Sequence, residues 1–237
     1  MSRFKDFFKL VGLAFYIRYK RLLELIQTIY RYYNNKLFRQ IDRTMFFLYL
    51  FDNPYTAARK FATLQGEEDI YTYGETPLTT LEQIVKRCGI TANDTVYELG
   101  SGRGRSCFWL HCFVGCKVVG IEYNPHFYRK AEAIRAHYDV RNVTFVCEDL
   151  LKVNYSKATV VYLYGSCLEE NFIFDLIEKL RKLPVDAKII TVSYPLTDYT
   201  FEPLFELIDE FDVPFTWGTT TVYVQVRTGF NAKTQRR

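Results

Sequence analysis

Apolar residues in the first sixty positions recur at three-to-four spacing: Phe4, Phe7, Phe8, Val11 and Phe15, then Leu22, Leu25, Ile26, Ile29 and Tyr33, with basic residues among the positions between. That period is helical. A second apolar block, Met45 to Phe51, stops at "DNP", a helix-ending turn. Residues 61–80 are polar and carry Gly66, Gly74 and Pro77, which reads as a loop and then a helix start. Thr79 or Thr80 is placed to cap the helix "LEQIVKRC", and Gly89 to end it. Beyond residue 94 the pattern changes. Short apolar runs at 96–99, 117–123, 143–149, 158–164 and 187–194 alternate with helical stretches at 104–113, 125–138 and 168–183. The segments "LFELIDEFDVPF" and "TTTVYVQVR", joined through "TWG", read as a final strand pair.

Strand and helix in alternation predict an α/β fold: a mostly parallel sheet with helices on both faces, right-handed crossovers and an antiparallel terminal strand. Ligands in such sheets bind at the carboxyl ends of the strands. The division expected is a basic helical segment over 1–65, the sheet domain over 66–227 and a polar, disordered tail over 228–237.

Within that pattern one stretch carries chemistry. "DTVYELGSGRG" (94–104) is a strand with Glu98 near its end, then Gly100, Gly102 and Gly104 at alternate positions. The glycines permit a tight turn and close approach of a ligand to the backbone, and the helix that opens there presents its free amides. Two cofactor classes use such a turn. The dinucleotide fingerprint G-x-G-x-x-G needs a third glycine at 105, where this chain has Arg105. Further acids end the next two strands: Glu122, and Asp149 after Glu148. A carboxylate after the second strand suits a ribose cis-diol, and one after the third suits an adenine amine. With no G-x-x-x-x-G-K-[ST] loop, these point to an adenosine site without phosphates.

Charge refines the picture at the N-terminus. Residues 1–43 hold ten Lys/Arg against three acids, net +7, whereas the remainder is net −3. A helical cap on the sheet domain, a basic amphipathic surface for a membrane or anionic partner through residues 1–50, and a dimer contact are the three readings of this segment. The uninterrupted apolar stretch "LVGLAFYI" is eight residues, against the ~20 of a membrane span. With no secretory signal, a cytoplasmic protein is expected, membrane-associated if the basic helices bind lipid. Six cysteines include no C-x-x-C pair and fit no zinc or iron–sulfur spacing; free, mostly buried thiols in a reducing compartment are expected and no metal. No motif points directly to nucleic acid.

The motif acidic-x-G-x-G-x-G resembles that of the class I S-adenosylmethionine (SAM) methyltransferases. The likeness covers roughly residues 70–227 and is strongest to the seven-strand protein-lysine methyltransferases, the archaeal and mitochondrial type and more distantly the non-SET histone-lysine type. It is carried by "YGETPLTTLEQIVKRCGITANDTVYELGSGRGR", "GIEYNP", "EDLLKVNYSKATVVYLYG" and "AKIITVSYP". The resemblance implies a Rossmann-like, seven-stranded sheet, SAM as methyl donor and a protein lysine as acceptor. Carried over by position, Glu98, Gly100, Ser101, Gly102 and Gly104 would hold the methionine moiety. Glu122 and Tyr123 would hold the ribose, Asp149 and Leu150 the adenine, and Tyr73, Thr76 and Pro77 would form the lid. Tyr71, Tyr73, Tyr164 and Tyr194, in the lid or at strand ends, are candidates for an aromatic channel that disfavours a charged lysine; Tyr73, Tyr164 and Tyr194 are the catalytic assignments. Two departures stand out: Arg103 replaces an acidic residue common in relatives, and the fourth strand ends "YLYGS" instead of N/D-P-P-Y, which counts against adenine and glutamine acceptors. The readings are therefore a protein-lysine methyltransferase, a methyltransferase for a small molecule or lipid at a membrane surface, and a non-catalytic scaffold with the same fold.

Overall fold

The computed structural model describes residues 2–66, 73–165 and 168–229, so Tyr71 and the tail beyond 229 lie outside the described residues. Three helices come first: α1 (Ser2–Tyr32), α2 (Lys36–Tyr49) and α3 (Pro54–Gln65). Asn35 and Asn53 cap the second and third through their side chains, and Pro54 follows its cap in the first turn. Helix α4 (Leu78–Cys88) leads into β1 (Thr95–Leu99), and α5 (Arg105–Phe113), β2 (Lys117–Ile121), α6 (Pro125–His137) and β3 (Val143–Val146) follow. The chain continues through β4 (Val160–Leu163), α7 (Glu170–Leu180), β5 (Lys188–Val192), β6 (Phe205–Pro214) and β7 (Thr219–Arg227).

The seven strands form one sheet in the order β3-β2-β1-β4-β5-β7-β6. The first five are mutually parallel, and β7 runs antiparallel to both neighbours. The sequence-based expectation of a mostly parallel sheet with an antiparallel terminal strand holds. Strands β2 to β5 are shorter than the apolar runs that predicted them, because the last residues of those runs leave the ladder at the carboxyl edge, whereas β1 extends through the whole of its run.

Each face of the sheet has its own core. Leu81, Ile84, Phe108, Phe127 and Ala131 of α4, α5 and α6 cover one face, and Ile173, Leu176, Ile177 and Leu180 of α7 cover the other. The N-terminal helices extend the first core: Tyr32, Phe38, Ile41, Met45 and Tyr49 are buried in it. Helix α1 is tied to α4 by Arg31 and Tyr32, which both donate to Glu82. The expected threonine cap of α4 is replaced by a tertiary one. Pro77 occupies the cap position without a side-chain bond, and Glu24 of α1 accepts from the Thr79 amide and hydroxyl instead. A carboxylate at that helix terminus also meets its positive end. Gly89 ends α4 in the left-handed conformation, as the sequence indicates.

Candidate functional site

At the carboxyl end of β1 the chain turns through Gly100, Gly102 and Gly104, whose φ values are 75°, 53° and 77°. A Cβ on Gly104 would stand 2.5 Å from the Phe145 ring, so space as well as conformation demands glycine there. The amides of Gly100 and Ser101 both donate to the Ile121 carbonyl at 2.9 Å, locking the turn against the end of β2.

Glu122 completes that lock. Its two oxygens accept from the amides of Gly102 and Asn124, each at 2.7 Å. Burial raises the Glu122 carboxyl above its usual range, although the amides of Asn124 and Gly102 favour its charge. Each oxygen keeps a second lone pair for a ligand hydroxyl. Tyr123 beside it is exposed and packs edge-on against Phe61 of α3.

Glu98 sits deeper. Its carboxylate is buried and accepts from the Ser106 hydroxyl and the Cys107 thiol. Burial pushes this carboxyl up to about 7, against the lowering effect of those two donors. The neighbouring Ser101 hydroxyl is buried with no partner. A narrow cavity of ≈ 30 Å³ passes Glu98, Gly100, Ser101, Gly102 and Arg103. A buried carboxylate acceptor and an unpartnered hydroxyl donor side by side suit an α-ammonium and its carboxylate.

Residues 74–76, in the segment expected as a lid, line this cavity. Tyr73 is stacked on Phe127 at 5.1 Å, lies edge-on to Tyr55 and hydrogen-bonds Glu75 through its hydroxyl. Thr76 shares a 2.6 Å hydrogen bond with the buried Tyr162 hydroxyl of β4. Arg103 meets Glu75 with both ends of its fork, Nε to Oε1 and Nη2 to Oε2, each at 2.5 Å. Burial works to raise the Glu75 carboxyl, but the Arg103 guanidinium outweighs it and holds the group below its usual range. Arg103 also lies over the Tyr49 ring at 5.1 Å, which connects the glycine turn to α2.

The other predicted residues fall on the same edge in different surroundings. Tyr164, just past β4, stacks on Phe215 at 5.1 Å and accepts from the Trp217 indole at 3.3 Å. The tight turn of the β6–β7 hairpin thus supplies two aromatic rings beside it. Tyr194 donates its hydroxyl to the Gly165 carbonyl at 2.7 Å and packs against Tyr199. Asp149 accepts from the Leu151 amide, and Leu150 is held from behind by the Tyr155 hydroxyl on its carbonyl. Glu75, Tyr49, Phe215 and Trp217 were missed by sequence reasoning. Glu75 lay inside the "YGET" motif; the others carried no local signal. Among the described residues no group of His, Cys, Asp and Glu is arranged to hold a metal, and no helix is long and apolar enough to cross a membrane.

Comparison with known proteins places the chain among methyltransferases. The family model described as "ANTKMT methyltransferase domain" matches residues 98–202. A histone-lysine N-methyltransferase, H3 lysine-79 specific, of Dictyostelium discoideum is 23% identical over 223 residues, 86% of this chain and 11% of that protein. A sterol 24-C-methyltransferase of Kluyveromyces lactis is 30% identical over 81 residues, 33% of this chain and 22% of that protein. The chain thus spans only a small part of the length of these relatives. An RNA methyltransferase of Salinibacter ruber, solved with S-adenosyl-L-homocysteine, has the same fold, with a TM-score of 0.55 at 23% identity over 68% of this chain and 97% of that one.

Proposed function

We propose, for this member of the class I (seven-β-strand) methyltransferases, the SAM-dependent transfer of a methyl group to a protein lysine side chain. The observation that carries the donor half of this reading is the pairing of buried Glu98 with the unpartnered Ser101 hydroxyl at the glycine turn. Glu98 accepts from the donor's α-ammonium, and the unpartnered Ser101 hydroxyl donates to its carboxylate. Glu122 takes the ribose hydroxyls through its free lone pairs, beside Tyr123. Asp149 and Leu150 border the adenine end, and Tyr73, Glu75 and Thr76 hold the lid closed over the methionine end. SAM supplies an electrophilic methyl group on a sulfonium.

The chain's own residues then have two tasks. One is to align the acceptor with that methyl, and positioning of this kind is worth ~7–11 kcal/mol. The other is to favour the neutral amine. An aromatic wall of Tyr164, Phe215 and Trp217 at the end of β4 disfavours an ammonium by desolvation. Tyr194 shapes the turn that carries this wall through its bond to Gly165. The lysine acceptor is supported by the Dictyostelium relative and by the "YGETP" lid.

A methyltransferase for a small molecule or lipid is the second reading. It is favoured by the exposed Phe46, Phe47, Leu50 and Phe51 at the end of α2, an apolar rim suited to a membrane surface, and by the sterol methyltransferase match. Calorimetry with SAM followed by radiolabelled methyl transfer into a cell lysate separates the readings. Label in protein bands, lost when acceptor lysines are blocked, is the expected result. Label confined to the organic extract favours the second reading, and no SAM binding at millimolar concentration removes both.

A further inference from the structure

A second, much larger cavity opens beside the lid. It is a groove of ≈ 700 Å³ between α1, α2 and the segment 75–77, within the range of ligand clefts. Glu75, Thr76, Arg103 and Arg105 line both it and the narrow donor cavity, so the two are adjacent across these side chains. Its outer wall is α1, which is anchored and not merely resting there: Glu24 bonds to Thr79, and Arg31 and Tyr32 bond to Glu82.

The charges in this groove do not balance. Each carboxylate is already engaged, Glu24 with the start of α4, Asp42 with Arg105 and Glu75 with Arg103. Two cations remain. Arg21 donates to the Tyr55 hydroxyl at 3.0 Å and stacks over its ring, while Arg43 is exposed; among the described residues neither is paired with a carboxylate. The apolar side chains of Phe46 and Phe47 line the same groove.

We propose that this groove is the acceptor site, built by the N-terminal helices, and that it takes a polypeptide segment whose target lysine is flanked by acidic residues. The assignment rests on the methyltransferase reading above. The lysine enters toward Thr76 and Glu75, the flanking carboxylates meet Arg21 and Arg43, and an apolar neighbour covers Phe46 and Phe47. A side chain on an extended segment can enter a groove of this shape, whereas a flat bilayer surface cannot. Arg21 and Arg43 are then substrate recognition, placed where they also repel lysine-rich segments lacking acids.

The test uses the full-length protein and the double variant Arg21→Glu/Arg43→Glu. Both changes are on exposed or rim positions outside the donor cavity. Acceptors are peptides with one lysine, flanked by Asp and Glu, by Ser and Gln, or by Arg, assayed with labelled SAM with and without anionic phosphatidylserine vesicles. The wild type should favour the acidic-flanked peptide over the Arg-flanked one by about tenfold in kcat/KM, the sum expected of two exposed ion pairs. The double variant should invert that ranking with unchanged SAM affinity by calorimetry. The same ranking in both proteins, no transfer to any peptide despite intact SAM binding, or transfer that depends on the vesicles would overturn the proposal. Absence of SAM binding by the wild type would instead overturn the methyltransferase reading beneath it.

Discussion

Arg103 and Glu75 form a two-point ion pair, both contacts 2.5 Å, in the wall shared by the donor cavity and the acceptor groove. Arg103 stands where the resemblance leads to the expectation of an acid. The structure gives its charge a partner, and the pair joins the lid to the glycine turn. Glu75→Ala leaves a largely buried guanidinium unpaired, so it should weaken SAM binding more than the double change Glu75→Ala/Arg103→Ala does. The coupling in a calorimetric double-mutant cycle should be about 1–3 kcal/mol. Additive effects would mean that the pair does not hold the lid.

A second pair ties the N-terminal helices to the same turn. Arg105 opens α5 and meets Asp42 of α2 at 2.7 and 3.1 Å, with Asp42 almost fully enclosed. Removing one partner of a buried pair costs far more than removing both. Asp42→Ala should therefore lower unfolding free energy by about 3 kcal/mol, and Asp42→Leu/Arg105→Met should recover most of it, as read by denaturant titration. Equal stability of the single variant and wild type would show that the pair is exchanged for water without cost.

Glu98 makes donor affinity depend on pH. Its carboxyl is pushed up to about 7 by burial, from an ordinary 4.5, and an ammonium binds only to the charged form. Affinity for SAM should rise with pH and level off above about 7, with roughly a tenfold gain between pH 6 and pH 8. The unliganded fold responds in the opposite sense. A carboxyl raised in the folded state contributes stability that is fully present below 4.5 and lost as pH rises through about 7. Glu98→Gln should bind SAM more weakly and show a flat pH profile; a profile identical to wild type would exclude Glu98 as the ammonium acceptor.

Much of this was legible in the chain, and the boundary between what was and what was not is physical. The glycine turn, Glu98, Glu122 and Asp149 are local features: a strand period, a turn that only glycine permits, and an acid at each strand end. The sheet order places those ends side by side without further information. Glu75 stood in the quoted motif, but its role needs Arg103, 28 residues away. Asp42 and Arg105, 63 residues apart, and Thr79 with Glu24, 55 apart, are bonds between helices whose relative placement no local period encodes. The predicted threonine cap of α4 failed for the same reason, since a distant carboxylate took over the task of a local hydroxyl. The aromatic wall depends on a hairpin that folds back over β4, so Phe215 and Trp217 looked like ordinary turn residues.

Glu122 serves the turn as well as the ligand, and the two roles can be separated. Glu122→Ala should weaken SAM binding by about 10–100-fold, because it removes a charge-assisted acceptor and frees the Gly102 and Asn124 amides. Measured on a donor analogue lacking both ribose hydroxyls, the same substitution should cost much less. An equal loss on both ligands would leave Glu122 as a fastener of the turn only.

The aromatic wall yields the most discriminating measurement on chemistry. Tyr164 stacks on Phe215, and Trp217 donates to the Tyr164 hydroxyl. Tyr164→Phe keeps the rings and removes the hydroxyl that accepts from Trp217, so methyl transfer should fall only a few-fold, in line with about 1 kcal/mol. Trp217→Ala removes the half-exposed outer ring of the wall and should lower kcat more than tenfold at pH 7 while leaving SAM affinity intact. If the wall acts by disfavouring the ammonium, bulk base can replace it. Lysine ordinarily titrates near ~10.4, so the deficit of Trp217→Ala should shrink as pH is raised from 7 to 9.5. A deficit constant across that range would mean that Trp217 aligns the acceptor and does not desolvate it.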